Sequence, residues 1–207
     1  MSELEKRAYS FEIRAEEGET GSVITGRPIV YNSRTDLGFF DEVIMQGALD
    51  RTDLRDVRFL VNHDTSKIPL ARSRRNNGNS TMLLTVDPEG LGIRVNLDTK
   101  NNADARSLYS AVERGDISGM SFMFSVRGEE WEDLDTEHPT RKITDIGTVV
   151  EVSACTFPAY EATDIQARGR EALDNARAAL EKARATLDSD IDLLKEKTKL
   201  LGGLFNA

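Results

Sequence analysis

Two histidines, His63 and His138, limit the acid–base chemistry open to this chain. Histidine is the side chain that acts as a neutral base near pH 7 without a large shift of its pKa. A hydrolase with a serine or cysteine nucleophile must therefore use one of the two. His138 lies in an acidic segment before Pro139, as expected of a solvated loop residue. His63 follows an apolar run and is the better candidate, although a histidine at the end of a strand is more often structural.

Ser121 is the serine whose surroundings best fit a nucleophile. It lies where a loop becomes a predicted strand, GMSFMF, and Gly119 leaves room for backbone N–H groups to approach a developing oxyanion. Amides near Gly119 or in the LARSRR segment after His63 are the candidate oxyanion donors. The alternative is an ordinary strand serine that faces solvent. Ser118, on the loop, and Ser125, further along the strand, could in principle replace Ser121, and both rank below it.

Two residues of the segment TVVEVSACT could take part in the same chemistry. Glu151 alternates with Val150 and Val152, so it leaves the apolar face of a predicted strand and could orient a histidine as the third member of a triad. A solvated glutamate explains this position equally well. Cys155 lies on the same alternating face, where a lone thiol is usually a small hydrophobic residue. A Cys/His protease is therefore the weaker enzymatic alternative.

The elements that must position these side chains are mostly predicted strands. Residues 9–30 alternate apolar and polar side chains around three glycines, which is the pattern of a hairpin. The run DVRFLVN predicts a strand that leads directly into His63. Further strands are predicted for MLLTV, LGIRVNL and TVVEVSACT.

Two short helices are predicted within this β-rich part. One surrounds Ala48. The other covers Ala103 to Arg114, because Asn102 can cap its first turn and Gly115 can end it. Its apolar residues fall on one face, which predicts that the helix packs against the strands.

A long helix is predicted beyond Pro158. Thr163 and Gln166 resemble a capping box, and the following residues are rich in Ala, Leu, Glu, Lys and Arg to about Leu201. Leucines recur every seven residues at 173, 180, 187, 194 and 201. Their companion positions become polar, so the helix either docks on a partner or another copy, or folds back as a cover for the core. We therefore divide the chain into a main domain, residues 1–162, and a helical tail, residues 163–207.

Composition narrows the classes of function. The chain has 207 residues, 39% of them hydrophobic, which fits one sizeable domain with an appendage. A formal net charge of -9 argues against a nucleic-acid partner. A single cysteine excludes an internal disulfide framework and suggests a reducing compartment, and no metal site or cofactor is implied. No apolar run approaches the roughly 18 residues that a bilayer span needs, which predicts a soluble cytoplasmic protein without a membrane partner.

The order of five segments resembles the prohead serine proteases of tailed bacteriophages, over about Gly21 to Ala162. The segments are GSVITGRPIVYN, FFDEVIMQGALD, FLVNHD, ERGDISGMSFMF and EVSACTFPAY. The resemblance implies an α+β fold like that of herpesvirus assembly proteases, a closed or nearly closed β-barrel with surrounding helices. Here Met123 stands where the family's G-x-S-F-G-F form often has glycine.

The same resemblance implies the roles of the candidate residues. The Asn-His-Asp match makes His63 the general base, and the Gly-Met-Ser-Phe match makes Ser121 the nucleophile. It also implies an endopeptidase that cleaves the major capsid protein, the scaffold and itself, inside the assembling procapsid in the host cytoplasm. The tail could serve self-association. The alternative from another class is a non-catalytic capsid assembly or scaffolding protein, which the acidic charge and the long helix would suit.

Overall fold

In the computed structural model, residues 4–9, 13–18, 21–156 and 170–204 are described. They form a mixed α+β fold, mostly of strands, which confirms the predicted class. The strands are β1 (Leu4–Tyr9), β2 (Ile13–Gly18), β3 (Gly21–Val30), β4 (Arg34–Asp36), β5 (Asp41–Ile44), β6 (Asp56–Val61), β7 (Ala71–Arg74), β8 (Met82–Asp87), β9 (Gly90–Asn96), β10 (Gly119–Glu132) and β11 (Thr140–Cys155). The helices are α1 (Ala103–Glu113) and α2 (Arg170–Leu204).

Strand β11 organises a seven-stranded sheet. It pairs along its length with β10 in antiparallel fashion, and β1 covers the far edge of β10. On its other side, β11 pairs in parallel with two strands. Strand β5 pairs near its beginning and β6 near its end. Strands β4 and β7 extend the sheet beyond β5 and β6. The end of β11 that lies beside β6 therefore brings β6 and β10 to the same place.

Strands β2, β3, β9 and β8 form a second, antiparallel sheet of four strands. The predicted hairpin is present here, since β2 and β3 follow each other in the chain and pair in antiparallel fashion. In the described part of the chain no ladder joins the two sheets, so the prediction of one closed barrel is corrected: the strands form two sheets. Apolar side chains, not strand pairing, hold the sheets together, and Ile24 and Val95 share one core with Phe59 and Phe122.

Helix α1 agrees with the sequence. The side chain of Asn102 accepts hydrogen bonds from the N–H groups of Asp104 and Ala105 at 2.9 and 3.2 Å, so it caps the first turn as predicted. The helix ends at Glu113, and Gly115 follows with a φ of 78°, a left-handed value that glycine adopts at little cost. The apolar face of α1 is buried in the core shared by the two sheets.

The short helix predicted around Ala48 is wrong. The N–H groups of Ala48, Asp50 and Thr52 each bond to the carbonyl three residues earlier, which makes a series of tight turns. Gly47 has a φ of 88°, and a left-handed residue at this point prevents the turns from joining into an α-helix.

Of the side chains of α2 that the structure describes, those in its first part lie against the rest of the fold. Ala176 and Leu180 are buried with Leu37 and Phe40. Arg184 donates to the carbonyl of Thr136 at 2.7 Å. Later apolar side chains of the helix are exposed.

The predicted capping box and the boundary at residue 162 lie outside the described residues. Of the helices that are described, none is long and apolar enough to span a bilayer.

Candidate active site

The end of β6 carries His63 to the centre of the site. Strand β6 runs parallel to β11, with Leu60 opposite Ser153 and Val61 opposite Ala154. The strand stops at Val61, and the next residue and His63 have φ angles of 51° and 58°. Two successive left-handed residues turn the chain sharply. Because this conformation costs free energy for a histidine, it is the kind of local strain that folded proteins retain at functional sites.

Ser121 lies in the middle of the seven-stranded sheet, in the first part of β10. Its backbone neighbours are Ala8 on β1 and Ser153 on β11. The side chain is fully buried, so the alternative of an ordinary serine that faces solvent is wrong. Its Oγ lies 2.5 Å from Nε2 of His63. The fold thus brings together the two residues that sequence reasoning selected.

Glu151 is buried beside the histidine. Its side chain is almost inaccessible, so the alternative of a solvated strand glutamate is also wrong. Oε1 contacts Nδ1 of His63, and Oε2 accepts a hydrogen bond from Ser153 Oγ at 2.6 Å. Ser121, His63 and Glu151 therefore form one continuous line of polar contacts. It has the order of groups found in a catalytic triad.

The line of contacts determines which nitrogen of His63 can act as a base. A carboxylate only accepts hydrogen bonds, so the contact with Glu151 places the imidazole proton on Nδ1. Nε2 is then the nitrogen with a free lone pair, and it is the one that faces Ser121. This tautomer can take a proton from the serine hydroxyl, and the carboxylate can stabilise the positive charge that then forms on the imidazole.

Ser153 is a part of the site to which the sequence analysis gave no role. Its Oγ accepts the backbone N–H of His63 at 3.2 Å while it donates to Glu151. It thereby connects the backbone of His63 to the carboxylate that contacts the imidazole. A signal was available, because Ser153 follows Glu151 by two residues and lies on the same strand face.

The competing nucleophiles do not fit the geometry. Burial, together with the negative charge of Glu151, raises the pKa of the Cys155 thiol to about 12, so it stays protonated near neutral pH. Ser118 is exposed in the loop before β10. Ser125 lies four residues beyond Ser121, which is about 13 Å along an extended strand. The nitrogen of His63 that would act as base faces Ser121.

His138 lies apart from this line of contacts. It is exposed, and its Nε2 lies 3.2 Å from Asp41 Oδ1. With Asp36 and Asp41 it forms the one group among the described residues that could hold a metal ion, and exposed acidic groups commonly occur without one. His138 precedes β11, whereas Glu151 lies near the other end of that strand. In the described part of the chain, no hydrogen bond or ion pair joins this group to Ser121, His63 or Glu151.

The LARSRR segment is a poor source of oxyanion donors in this arrangement. The amides of Leu70, Arg72 and Arg74 donate to Phe59 O, Thr81 Oγ1 and Ser80 Oγ. Amides that already have partners are not free to receive a developing oxyanion. The backbone near Gly119 remains the other candidate.

Comparison with known proteins places the chain beside phage proteases. A family model described as Caudovirus prohead serine protease matches residues 9–177. The prohead protease of Enterobacteria phage HK97 is 30% identical over 155 residues, which make up 73% of this chain and 61% of that protein. The chain thus spans less than two thirds of that relative's length. The solved structure of the bacteriophage T4 capsid assembly protease covers 75% of this chain and 99% of its own, with a TM-score of 0.41 and 12% identity.

Proposed function

The chain belongs to the family of Caudovirus prohead serine proteases, and from that premise we propose that it is a serine endopeptidase of phage head maturation. Ser121 is the nucleophile, His63 the general base and Glu151 the residue that orients the base. The observation that carries the proposal is the 2.5 Å contact between Ser121 Oγ and His63 Nε2, with Glu151 on the opposite nitrogen. A protease without cofactor or metal requires no other reacting group.

The proposed reaction has two halves. Ser121 Oγ attacks the carbonyl carbon of a peptide bond while its proton passes to Nε2 of His63. The tetrahedral intermediate collapses, the C–N bond breaks, and His63 returns the proton to the leaving amine. A water molecule then attacks the acyl-enzyme with His63 again as base, which releases the acid and regenerates the Ser121 hydroxyl. Glu151 stays ionised throughout and stabilises the imidazolium of each half.

The substrates that we propose are the major capsid protein, the scaffold and the protease itself, cut within the assembling procapsid in the host cytoplasm. The support is the family and the relative from phage HK97, which is named as a prohead protease. The likeness to herpesvirus assembly proteases, the boundary at residue 162 and self-association through α2 remain predictions of the sequence.

A non-catalytic scaffolding protein is the alternative function, and the buried groups argue against it. Burying a carboxylate, an imidazole and a hydroxyl costs free energy. A protein whose only task is assembly would gain more from apolar side chains at these positions. The enzymatic proposal assigns a catalytic role to each of these buried polar groups.

The test is co-expression of the chain with the major capsid protein and scaffold of its own phage. Mass spectrometry of the new termini should identify cleavage sites in both. The Ser121→Ala variant, which removes only the attacking oxygen, should leave both substrates intact while its melting temperature stays close to that of the wild type. Cleavage at the same sites by a folded Ser121→Ala protein would falsify the assignment of the nucleophile.

A further inference from the structure

Strand β1 covers the nucleophile. It pairs in antiparallel fashion with β10 so that Ala8 lies opposite Ser121 and Arg7 opposite Phe122. The hydroxyl of Ser121 donates to the carbonyl oxygen of Arg7 at 2.6 Å. With β11 on its other side, Ser121 has no exposed surface.

This position of β1 is incompatible with attack on another chain. A reacting carbonyl carbon must come within about 3–3.5 Å of the nucleophile, and the Arg7 carbonyl already occupies that space. The single proton of Ser121 also cannot be given to Arg7 and to His63 at the same time. Because the oxygen of the Arg7 carbonyl, and not its carbon, contacts Oγ, β1 fills the site without being placed for cleavage.

The rest of the protein holds β1 by buried charges. Arg7 bonds to both carboxylate oxygens of Glu42, at 2.5 and 2.9 Å. Glu5 bonds to both terminal nitrogens of Arg141, at 2.7 and 2.9 Å. Glu42 on β5 and Arg141 on β11 are nearly inaccessible to solvent. The body thus offers Glu42 to Arg7 and Arg141 to Glu5, and β1 supplies the complementary charges two residues apart; Arg141 also bonds to Glu42 and Glu129.

We propose that the edge of β10 beside Ser121 is the substrate-binding edge, and that β1 is a substrate-like strand that must leave it before cleavage. The substrate class is an extended peptide that adds to this edge as an antiparallel strand. It carries a basic residue whose carbonyl meets Ser121, selected by Glu42, and an acidic residue two positions earlier, selected by Arg141. This inference rests on the proposed function for the identity of the nucleophile.

A reversible tether of β1 tests the proposal in the full chain. Lys6 and Met123 lie opposite each other in the register of β1 and β10. A K6C/M123C variant can therefore form a disulfide across the two strands, and the buried Cys155, with its raised pKa, should not compete. When oxidised, the variant should cleave a peptide substrate at least about 100-fold more slowly than after reduction, since the strand can no longer leave.

The matched control is an R14C/T25C variant, which places the same kind of disulfide between β2 and β3 in the other sheet. Its activity should not depend on oxidation. Equal rates for oxidised and reduced K6C/M123C would show that substrate does not need the edge that β1 occupies, and the proposal would be wrong.

The charge selection is tested by peptides. A peptide with arginine at the position of Arg7 should be cleaved at least about 30-fold more efficiently than one with glutamate there, since a buried charge partner is satisfied or lost. The preference should shrink in Glu42→Gln, through a higher KM with little change in kcat. An unchanged preference in Glu42→Gln would exclude this carboxylate as the selecting group.

A binding measurement separates this inference from the proposed function. In a Ser121→Ala background, a labelled peptide with the sequence LEKRAY should bind the reduced K6C/M123C chain and be excluded from the oxidised one. Peptide concentrations must extend into the millimolar range, because the attached strand competes at a high effective concentration. Equal binding by both forms contradicts the inference whether or not Ser121 is the nucleophile. Cleavage by a folded Ser121→Ala chain contradicts only the function.

Discussion

Asn62 and Thr156 join the ends of strands β6 and β11. Oδ1 of Asn62 accepts the backbone N–H of Thr156 at 3.0 Å, and Nδ2 donates to Thr156 Oγ1, also at 3.0 Å. Asn62 has a φ of 51°, a left-handed value that asparagine tolerates better than most residues. His63 follows directly. We therefore predict that Asn62 acts as a positioning residue, which sets the direction of His63 without touching the reacting atoms.

Two substitutions at Asn62 should separate its backbone role from its hydrogen bonds. Asn62→Ala loses both and should lower kcat about 10- to 100-fold with little change in KM, since a displaced base fails mainly in the reaction step. Asn62→Gly loses the hydrogen bonds but keeps access to positive φ, and it should lower kcat less. Peptide hydrolysis kinetics on folded variants give the comparison. A wild-type kcat in Asn62→Ala would show that Asn62 does not position His63.

Ser121 and His63 should behave as one unit. Ser121→Ala and His63→Ala should each lower kcat by on the order of 10⁴-fold or more, and the double variant should be no slower than the worse single variant. The reason is that the proton transfer needs both groups, so removal of either one ends it. Single-turnover rates and thermal melts of the three variants test this. Additive losses would indicate that the residues act in separate steps.

Glu151 and Ser153 should affect the rate to different degrees. Glu151→Gln favours the wrong tautomer of His63 and should slow turnover strongly without necessarily abolishing it. Ser153→Ala removes one hydrogen bond to the carboxylate and should cost about tenfold. Peptide hydrolysis rates, compared on variants whose melting temperatures stay close to that of the wild type, distinguish the orientation of His63 from folding. Wild-type rates in Glu151→Gln would show that Glu151 has a structural role and no part in the reaction.

Local signals explain what could be predicted from the sequence. The cap at Asn102 and the alternation around Ser121 and Glu151 depend on residues a few positions apart, and the structure agrees with both. The contact between Ser121 and the Arg7 carbonyl joins residues 114 positions apart. No periodicity indicates which strand will pair with the free edge of β10. The two-sheet arrangement is missed for the same reason, because closure depends on distant strand pairing.

The docking of β1 should weaken in acid. Burial alone would raise the pKa of Glu5, but the hydrogen bond from Arg141 and the charge of Arg7 hold it below its ordinary value of 4.5. A carboxylate with a lowered pKa stabilises the folded form above its ordinary pKa, and this stabilisation is lost as the pH falls through the lowered value. The protection of the β1 amides against hydrogen exchange, relative to their intrinsic exchange rates, should therefore decrease as the pH falls below about 4.5.

Glu42 and Glu129 face the same arginines, so a Glu5→Gln variant is needed as the control. Its β1 amides should be less protected at neutral pH and should change less between pH 5 and 3, after correction for the intrinsic exchange rate. Activity is unsuitable as the measurement, since it reports on the reaction step as well as on the docking of β1. Identical pH dependence in Glu5→Gln and the wild type would exclude Glu5 as the titrating group.

The second part of α2 presents an apolar strip that the described residues leave exposed. Leu187, Ile191 and Leu194 have exposed fractions of 37%, 40% and 61% and follow one another at spacings of four and three residues. This is the spacing of a coiled-coil seam. Leu180, one heptad before Leu187, is buried against Phe40. The two alternatives for the tail thus apply to different parts of one helix, a cover at its beginning and a candidate docking face further along.

We predict that this strip mediates self-association. An L187Q/I191Q/L194Q variant should keep the wild-type melting temperature, because its side chains leave no cavity in the fold, and it should sediment as a smaller species than the wild type. Leu180→Gln, the matched control, should behave in the opposite way, with a melting temperature lowered by several degrees for a loss of about 2–3 kcal/mol. Sedimentation velocity over a concentration series checks both. If the triple variant and the wild type sediment alike at every concentration, the strip does not join copies of this chain.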